Sequence, residues 1–146
     1  MSIYGTAKPI GVAVTPTGDR VYVTESGGTR LVKVYNSAGK QTGVLTPPKL
    51  AGDSHLPEYV AINPQTQDVY VSDRLTASIF IYDAPHKYLR TFAPKGNLGG
   101  KSNPSGLPVA PDGSFYATDR RGQSTAQPRV AVSGPAGPTG PVRCTR

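Results

Sequence analysis

Residues 8–45 read KPIGVAVTPTGDRVYVTESGGTRLVKVYNSAGKQTGVL, and two later stretches of the 146-residue chain repeat this pattern. Residues 56–92 read LPEYVAINPQTQDVYVSDRLTASIFIYDAPHKYLRTF. A third copy begins at Asn103 and reads NPSGLPVAPDGSFYATDRRGQSTAQPRVAVSG. Self-similarity at one period indicates a repeat architecture, in which each unit packs against its neighbours.

Three sets of anchor residues hold the period. A proline opens each unit, a second proline follows the first apolar run, and an acidic residue ends the second run. The opening prolines lie 48 and 47 residues apart, and the acidic residues lie 48 and 46 apart. The anchors are, in that order, Pro9, Pro57 and Pro104; Pro16, Pro64 and Pro111; and Glu25, Asp73 and Asp119.

Short Val- and Tyr-rich runs, separated by Gly, Asp and Asn turns, predict three or four strands in each unit. The inner strands are predicted at Ile10–Val14, Tyr59–Ile62 and Gly106–Val109, and the second strands at Arg20–Thr24, Asp68–Ser72 and Ser114–Thr118. Third strands are predicted at Leu31–Tyr35, Ser78–Tyr82 and Arg129–Val132, and fourth strands at Thr42–Leu45 and Lys87–Phe92. Tyr22, Tyr70 and Tyr116 should occupy equivalent, buried places.

Strands at this period are typical of β-propeller blades, and a β-sandwich would not require the periodic prolines. The sequence therefore predicts an all-β partial β-propeller of three antiparallel blades, at residues 8–45, 56–92 and 103–133, with the C-terminal blade degenerate. Residues 134–146 are expected to form a disordered Gly/Pro-rich tail, because prolines remove the N–H donors of a strand.

The motif resembles the NHL repeat. The resemblance rests on Pro9-Ile10-Gly11-Val12-Ala13-Val14, Tyr22-Val23-Thr24-Glu25, Arg30 and the turn Asn36-Ser37-Ala38-Gly39-Lys40. Residues 21–25, VYVTE, are also similar to YVTN repeats. The second unit departs from the pattern at Tyr59 and Ser78, and the third at Pro108.

The resemblance implies a ring of about six blades, so three blades would leave two lateral faces bare. Either the chain is part of a larger propeller, or two copies associate head to tail to complete a ring. The apolar positions expected to be exposed are Val12, Val14, Val21 and Val23 on one side, and Phe115, Val130 and Val132 on the other.

The resemblance also places the second-to-third strand loops and the inter-blade loops on one face, where ligands of such folds bind. The candidate binding residues on this face are Glu25, Arg30, His55, Asp73, Arg74, Asp119, Arg120 and Arg121. The recurring acids could form a metal or substrate ring. Alternatively, each acid ties down its own turn or pairs with the Arg of its blade. Recurrence in every blade favours the structural role.

No catalytic set is recognisable. His55 and His86 are expected on opposite faces, and Cys144 is the single cysteine, so neither a converging metal site nor an internal disulfide is expected. No phosphate loop or nucleophile elbow occurs. We therefore expect no metal and no cofactor. The sequence contains neither a membrane-spanning apolar run nor a recognisable signal peptide, and it leaves the localisation open.

The net charge of +7 is carried by residues 74–146. A basic half can bind nucleic acid, but the absence of aromatic residues interleaved with the basic ones favours a solvated surface. RNA binding would use Arg74, Arg90, Lys95, Lys101, Arg120 and Arg121. The favoured function is a non-enzymatic binding or scaffold module for a protein or polymer. A fragment of a propeller lyase or hydrolase, with its catalytic residues in other blades, is the alternative.

Overall fold

The computed structural model describes residues 2–49, 54–92, 104–112, 114–119, 130–133 and 143–145, with the side chains of 119, 130–133 and 143–145 left out. Within these ranges the regular secondary structure is entirely β-strand. None of this described part forms a helix with the length and apolar character that crossing a membrane requires.

Three four-stranded sheets follow one another along the chain. The first contains β1 (Pro9–Val14), β2 (Arg20–Glu25), β3 (Val32–Asn36) and β4 (Gln41–Leu45). The second contains β5 (Pro57–Ile62), β6 (Val69–Asp73), β7 (Ser78–Tyr82) and β8 (Tyr88–Phe92). The third contains β9 (Pro104–Ser105), β10 (Phe115–Asp119), β11 (Val130–Ser133) and β12 (Arg143–Thr145). All neighbours are antiparallel and pair in chain order, so the expected all-β architecture of three sheets is confirmed.

The register explains the anchor spacing. The opening proline of each unit lies directly opposite the acid that ends the second strand. The three pairs are Pro9 with Glu25, Pro57 with Asp73, and Pro104 with Asp119. A fixed cross-strand pairing therefore recurs in each sheet, and this is why both anchors keep nearly the same period.

Two expectations about the third sheet are wrong. Its inner strand is not Gly106–Val109: β9 ends at Ser105, Gly106 adopts a φ of 67°, and Val109 forms only an isolated bridge to Phe115. The predicted disordered tail contains a strand, because Arg143–Thr145 pairs with β11 as the fourth strand. Residues 134–142, with most of the predicted Gly/Pro-rich stretch, lie outside the described residues.

The core fills the two spaces between consecutive sheets. Tyr22 packs between the first and second sheets, in a cluster with Val34, Val71 and Phe80. Tyr70 packs between the second and third sheets, with its ring centroid 5.3 Å from that of Phe115. Tyr22 and Tyr70 therefore each point toward the sheet that follows their own in the chain.

Tyr116 has the same register but a different environment. Tyr22 and Tyr70 are each 1% exposed, whereas Tyr116 is 40% exposed. The expectation of three buried tyrosines is thus wrong for the third, because no described sheet follows it. Phe115, expected on the exposed side, points back toward the second sheet and is 1% exposed.

The opposite face of the first sheet is partly covered. Val12 and Val14 are exposed at 65% and 52%, as expected. Val21 and Val23 are buried, contrary to expectation, because Ile3 of the N-terminal segment packs over them. The side chains of the other two expected positions, Val130 and Val132, lie outside the described part.

The inner strands β1 and β5 approach closely at Gly11. A Cβ atom there would lie 2.6 Å from the backbone oxygen of Glu58, closer than real contacts allow. The Thr24 hydroxyl bridges the two strands, since it accepts a hydrogen bond from the Gly11 N–H at 2.7 Å and donates one to the Glu58 oxygen at 2.8 Å. In the second sheet, the Ser72 hydroxyl accepts the equivalent bond from the N–H of Tyr59 at 3.1 Å.

Candidate functional site

The second strands end at Glu25, Asp73 and Asp119 on one side of the molecule, which we call the loop face. At this face Glu25 is fully buried. Its Oε1 accepts hydrogen bonds from the Ala7 N–H and from Lys33 Nζ, both at 2.8 Å, and its Oε2 accepts one from the Thr29 hydroxyl at 3.2 Å. Glu25 thus ties down the chain that enters its own sheet. The expected ion pair with Arg30 is replaced by one with Lys33.

These bonds also set the charge of Glu25. Burial pushes the pKa of this carboxyl upward, because a buried charge loses hydration. The hydrogen bond from Lys33, that from the Ala7 N–H, the Lys33 charge and the Thr29 hydroxyl act in the opposite direction and outweigh burial. The pKa consequently lies below its ordinary value of 4.5, so Glu25 is ionised at neutral pH.

Asp73 has the same role in the second sheet. Its Oδ2 accepts a hydrogen bond from the Leu56 N–H at 2.8 Å, one residue before the opening proline. Its Oδ1 accepts bonds from the N–H and the hydroxyl of Thr76, at 2.9 and 3.0 Å. At the equivalent place in the third sheet, the backbone of Asp119 pairs with Pro104, and its side chain lies outside the described part. For Glu25 and Asp73, the structural role of the acid is confirmed.

A cleft opens at the loop face between the first and second sheets, and we call it the inter-sheet cleft. It is narrow: the space inside it that a water-sized sphere can occupy is about 10 Å³, close to what one water molecule needs. Three of the predicted binding residues, Arg30, His55 and Asp73, line it together. The remaining lining residues are Leu31, Val32, Leu45, Pro47, Pro57, Val71, Phe80 and Tyr82.

His55 forms one wall of this cleft. Its Nδ1 lies 3.4 Å from Oδ2 of Asp73, and its ring meets that of Phe80 edge to face, with centroids 5.6 Å apart. Nδ1 is buried and has no hydrogen bond of good geometry within the described structure. His55 therefore packs as an aromatic wall whose polar edge faces Asp73.

Two arginines of the predicted binding set, Arg30 and Arg74, lie in the described part, and their surroundings differ. Arg30, at the mouth of the inter-sheet cleft, is exposed, has a φ of 54°, and makes no ion pair or side-chain hydrogen bond with any described residue. Arg74 lies 3.5 Å from Oε1 of the buried Glu58, which partly neutralises it. Arg120 and Arg121 lie outside the described ranges.

At the opposite end, the first two sheets meet in a contact that the sequence did not predict. The Tyr22 hydroxyl lies 2.9 Å from Nε2 of His86, and Arg20 donates a hydrogen bond to the Ala84 oxygen at 2.7 Å. Burial, followed by the Arg20 charge, lowers the pKa of His86 below its ordinary value of 6.5. The partners in each pair are 64 residues apart, so no local pattern could reveal them.

The described residues contain no group of three or more His, Cys, Asp or Glu side chains that could hold a metal ion. The absence of a tightly bound metal stays a prediction. The described part of the loop face therefore contains a narrow cleft with mainly apolar walls. Both carboxylates there, Glu25 and Asp73, already accept hydrogen bonds, and Arg30 has no ion-pair partner among the described residues.

No protein-family model matches the sequence. No curated protein matches it either.

Solved structures match the fold. An inactive variant of virginiamycin B lyase from Staphylococcus aureus, with quinupristin, superposes with a TM-score of 0.69 at 18% identity, covering 94% of this chain and 40% of that one. A nidogen–laminin complex gives 0.69 at 20% identity, covering 92% and 47%. The WD40 repeats of RRP9 give 0.68 at 18% identity, covering 90% and 36%.

This chain therefore spans less than half the length of these neighbours, whose roles are diverse, and identities of this size establish the fold alone. Together with the three sheets in sequential order, the matches identify the chain as a partial β-propeller that supplies three four-stranded blades.

Proposed function

We propose that this chain is a non-enzymatic binding module, which presents its loop face to a protein or polymer partner. One observation carries the proposal. The described carboxylates that the repeat brings to this face, Glu25 and Asp73, are both consumed in hydrogen bonds that hold the entering chain. What the described part of this face offers a ligand is the surface of its loops, with the narrow inter-sheet cleft and the exposed Arg30 at the mouth of that cleft. Such a surface suits recognition better than acid–base chemistry.

We infer the NHL type of propeller from the motif of the first unit, which runs from Pro9 through Gly11 to the turn at Asn36–Lys40. Gly11 supports this inference, since the close approach of β1 and β5 leaves no room for a side chain there. The remaining predicted binding residues, Asp119, Arg120 and Arg121, belong to the proposed loop face of the third blade.

The enzymatic alternative is a fragment of a lyase or hydrolase with catalytic residues in other blades. Several of the structural neighbours are lyases. Within this chain, however, the two histidines lie at opposite ends of the sheets: His55 packs against Phe80, and His86 contacts Tyr22. Neither position supports a shared catalytic role.

RNA binding by the basic half has less support. Arg74 faces Glu58, and Arg90 also has interaction partners. A titration of single-stranded RNA at several salt concentrations separates this alternative, because each neutralised phosphate steepens the salt dependence of the affinity.

We further propose that two copies associate through their bare lateral faces. Val12 and Val60 are equivalent in register, opposite Val23 and Val71 respectively. Val60 is 8% exposed because it packs against the preceding sheet, whereas Val12 is 65% exposed. Tyr116 is exposed on the third sheet in the same manner. Repeating the interface between consecutive sheets across two copies would cover both faces.

Sedimentation equilibrium tests the association. Val14→Asp should shift the protein toward monomer, because it places a charge in the bare face of the first sheet. Leu89→Asp is the matched control: Leu89 also lies in a strand and is exposed to a similar degree, 48% against 52%. Wild-type protein that stays monomeric at micromolar concentration would contradict the association.

Selection from a random peptide library tests the binding function. Peptides enriched on the wild-type chain should lose affinity when the loop face is altered by His55→Ala, whereas Lys40→Ala, in the exposed turn between β3 and β4, should leave affinity unchanged. Failure to enrich any peptide, or equal loss in both variants, would count against a peptide-binding loop face.

A further inference from the structure

The N-terminal segment, residues 2–7, covers part of the bare face of the first sheet. Val21, Val23 and Tyr35 form one buried cluster there, and Ile3 packs against it. Val21 and Val23 belong to β2, and Tyr35 lies directly opposite Val21 in β3. Side chains alternate between the two faces of a strand, so this apolar surface faces away from the second sheet. A segment outside the repeat therefore covers it.

The same positions of the second sheet are covered by a neighbouring blade. Val69 and Val71 of β6, with Tyr82 opposite Val69, are the counterparts of that apolar surface. They share one buried cluster with Tyr22 of the preceding sheet. Ile3 therefore covers the positions of the first sheet that a second-strand tyrosine covers in the second sheet.

The second-strand tyrosine of the third sheet has no described sheet to pack against. Tyr116 lies three residues before Asp119, as Tyr22 lies three residues before Glu25. Its side chain is 40% exposed. If a second copy repeats the interface between consecutive sheets, its Tyr116 reaches the surface on which Ile3 lies. The two side chains then compete for one place.

The attachments of the N-terminal segment weaken toward its start. At the loop face, the Ala7 N–H donates a hydrogen bond to Oε1 of Glu25 at 2.8 Å. Nearer the start, Lys33 Nζ donates one to the Gly5 oxygen at 2.6 Å, and Lys33 also has its ion pair with Glu25. Ile3 adds an apolar contact and is itself partly exposed. The start of the segment can therefore leave the sheet while Ala7 stays anchored.

The cover that the N-terminal segment provides is incomplete. Val12 and Val14 of β1 lie opposite Val23 and Val21, on the same face, and are 65% and 52% exposed. A neighbouring blade would bury these two valines together with the pair that Ile3 covers. It would therefore remove more apolar surface from water than the segment does.

We propose that the N-terminal segment is an intramolecular competitor of self-association. Ile3 occupies the site on the first blade that Tyr116 of a second copy takes when two copies pair. Association then requires the start of the segment to swing away about Ala7, so the segment sets how strongly two copies bind. The inference rests on the proposed association and names the contact that opposes it.

The test compares two substitutions in the N-terminal segment. Ile3→Ser releases the segment, because it removes the apolar contact with the sheet. Tyr4→Ser is the matched control, since Tyr4 is the next residue of the same segment but is 83% exposed. Sedimentation equilibrium of the full chain measures the dissociation constant of the pair for the wild type and both variants. Thermal unfolding verifies that the variants fold.

We expect Ile3→Ser to lower the dissociation constant about a hundredfold. This corresponds to about tenfold for each of the two interfaces of a closed pair, because the partial burial of one isoleucine no longer has to be given up at either interface. Tyr4→Ser should match the wild type. Tyr116→Ala should raise the dissociation constant both in the wild type and in Ile3→Ser. Nuclear Overhauser contacts between the methyl groups of Ile3 and Val21 should fade as the wild-type concentration rises.

An unchanged or raised dissociation constant in Ile3→Ser would overturn the inference and leave the association standing. Equal tightening by Tyr4→Ser would also overturn it, because the effect would then not depend on the contact of Ile3. A wild type that stays monomeric while Ile3→Ser pairs would support the inference and show that the segment blocks association in the wild type. If the wild type and both variants stay monomeric at micromolar concentration, the association and this inference fail together, whereas peptide binding at the loop face is judged separately by library selection.

Discussion

The tyrosines of the second strands provide a comparison within one molecule. Tyr70 lies between two sheets, where its ring packs on Phe115 and shares a cluster with Ile79 and Leu107. Removing the ring in Tyr70→Ala takes away about 150 Å² of buried surface, which at roughly 25 cal/mol per Å² corresponds to about 4 kcal/mol. Aromatic-to-alanine substitutions in cores typically cost 3–5 kcal/mol.

Tyr116→Ala is the matched control, because it removes the same ring at the same register of the next sheet, where 40% of the residue is exposed. We expect it to cost less than about 1 kcal/mol. Urea denaturation followed by circular dichroism measures both free energies of unfolding, at a concentration low enough to suppress association. A loss below about 1 kcal/mol for Tyr70→Ala, or equal losses for both variants, would refute the packing described here.

Three further predictions follow from other contacts. Gly11→Ala should lower the free energy of unfolding by about 1–3 kcal/mol, because its Cβ would meet the Glu58 backbone, whereas Gly43→Ala should be tolerated, since nothing lies within 4 Å of its added Cβ; equal unfolding midpoints for the two variants would contradict this. Because the pKa of His86 is lower in the folded protein, the unfolded chain binds a proton at His86 more tightly than the folded chain does. The neutral, folded form of His86 therefore contributes fully to stability above pH 6.5, and this contribution is lost as the pH falls through the lowered pKa. Urea unfolding at pH 7.5 and 5.5 should therefore show a smaller difference in His86→Asn, and an undiminished difference would exclude His86 as the cause. Finally, elemental analysis after dialysis should find no stoichiometric zinc or calcium, and retained metal would revive the enzymatic alternative.

Much of the loop face followed from the repeat. The acids that recur in every unit were expected to hold their own turns, and the hydrogen bonds of Glu25 and Asp73 agree. The predicted partner of Glu25, Arg30, was wrong, because two cations, Arg30 and Lys33, lie near Glu25 in the sequence. The strand places Lys33 within 2.8 Å of the carboxylate, whereas the turn leaves Arg30 at the mouth of the cleft.

The bare faces were predicted less well, for a related reason. The repeat pattern identifies Val21, Val23 and Phe115 as apolar but does not say which neighbour covers them. Ile3, which lies outside the repeat, covers Val21 and Val23. Phe115 is buried because its side chain points toward the second sheet, which precedes its own in the chain. Burial depends on contacts between units, and no single unit encodes those contacts.

The sequence by itself determined the number of repeated units, their strand content and the positions of their anchors, because cross-strand pairing within each sheet fixes a local period. Tertiary structure alone decided which face of each sheet is covered and the pairing of Tyr22 with His86. It also brought Arg30, His55 and Asp73 to one cleft. These contacts join residues of different blades, and their energies depend on how two sheets pack, which a pattern of residue types along one chain does not specify.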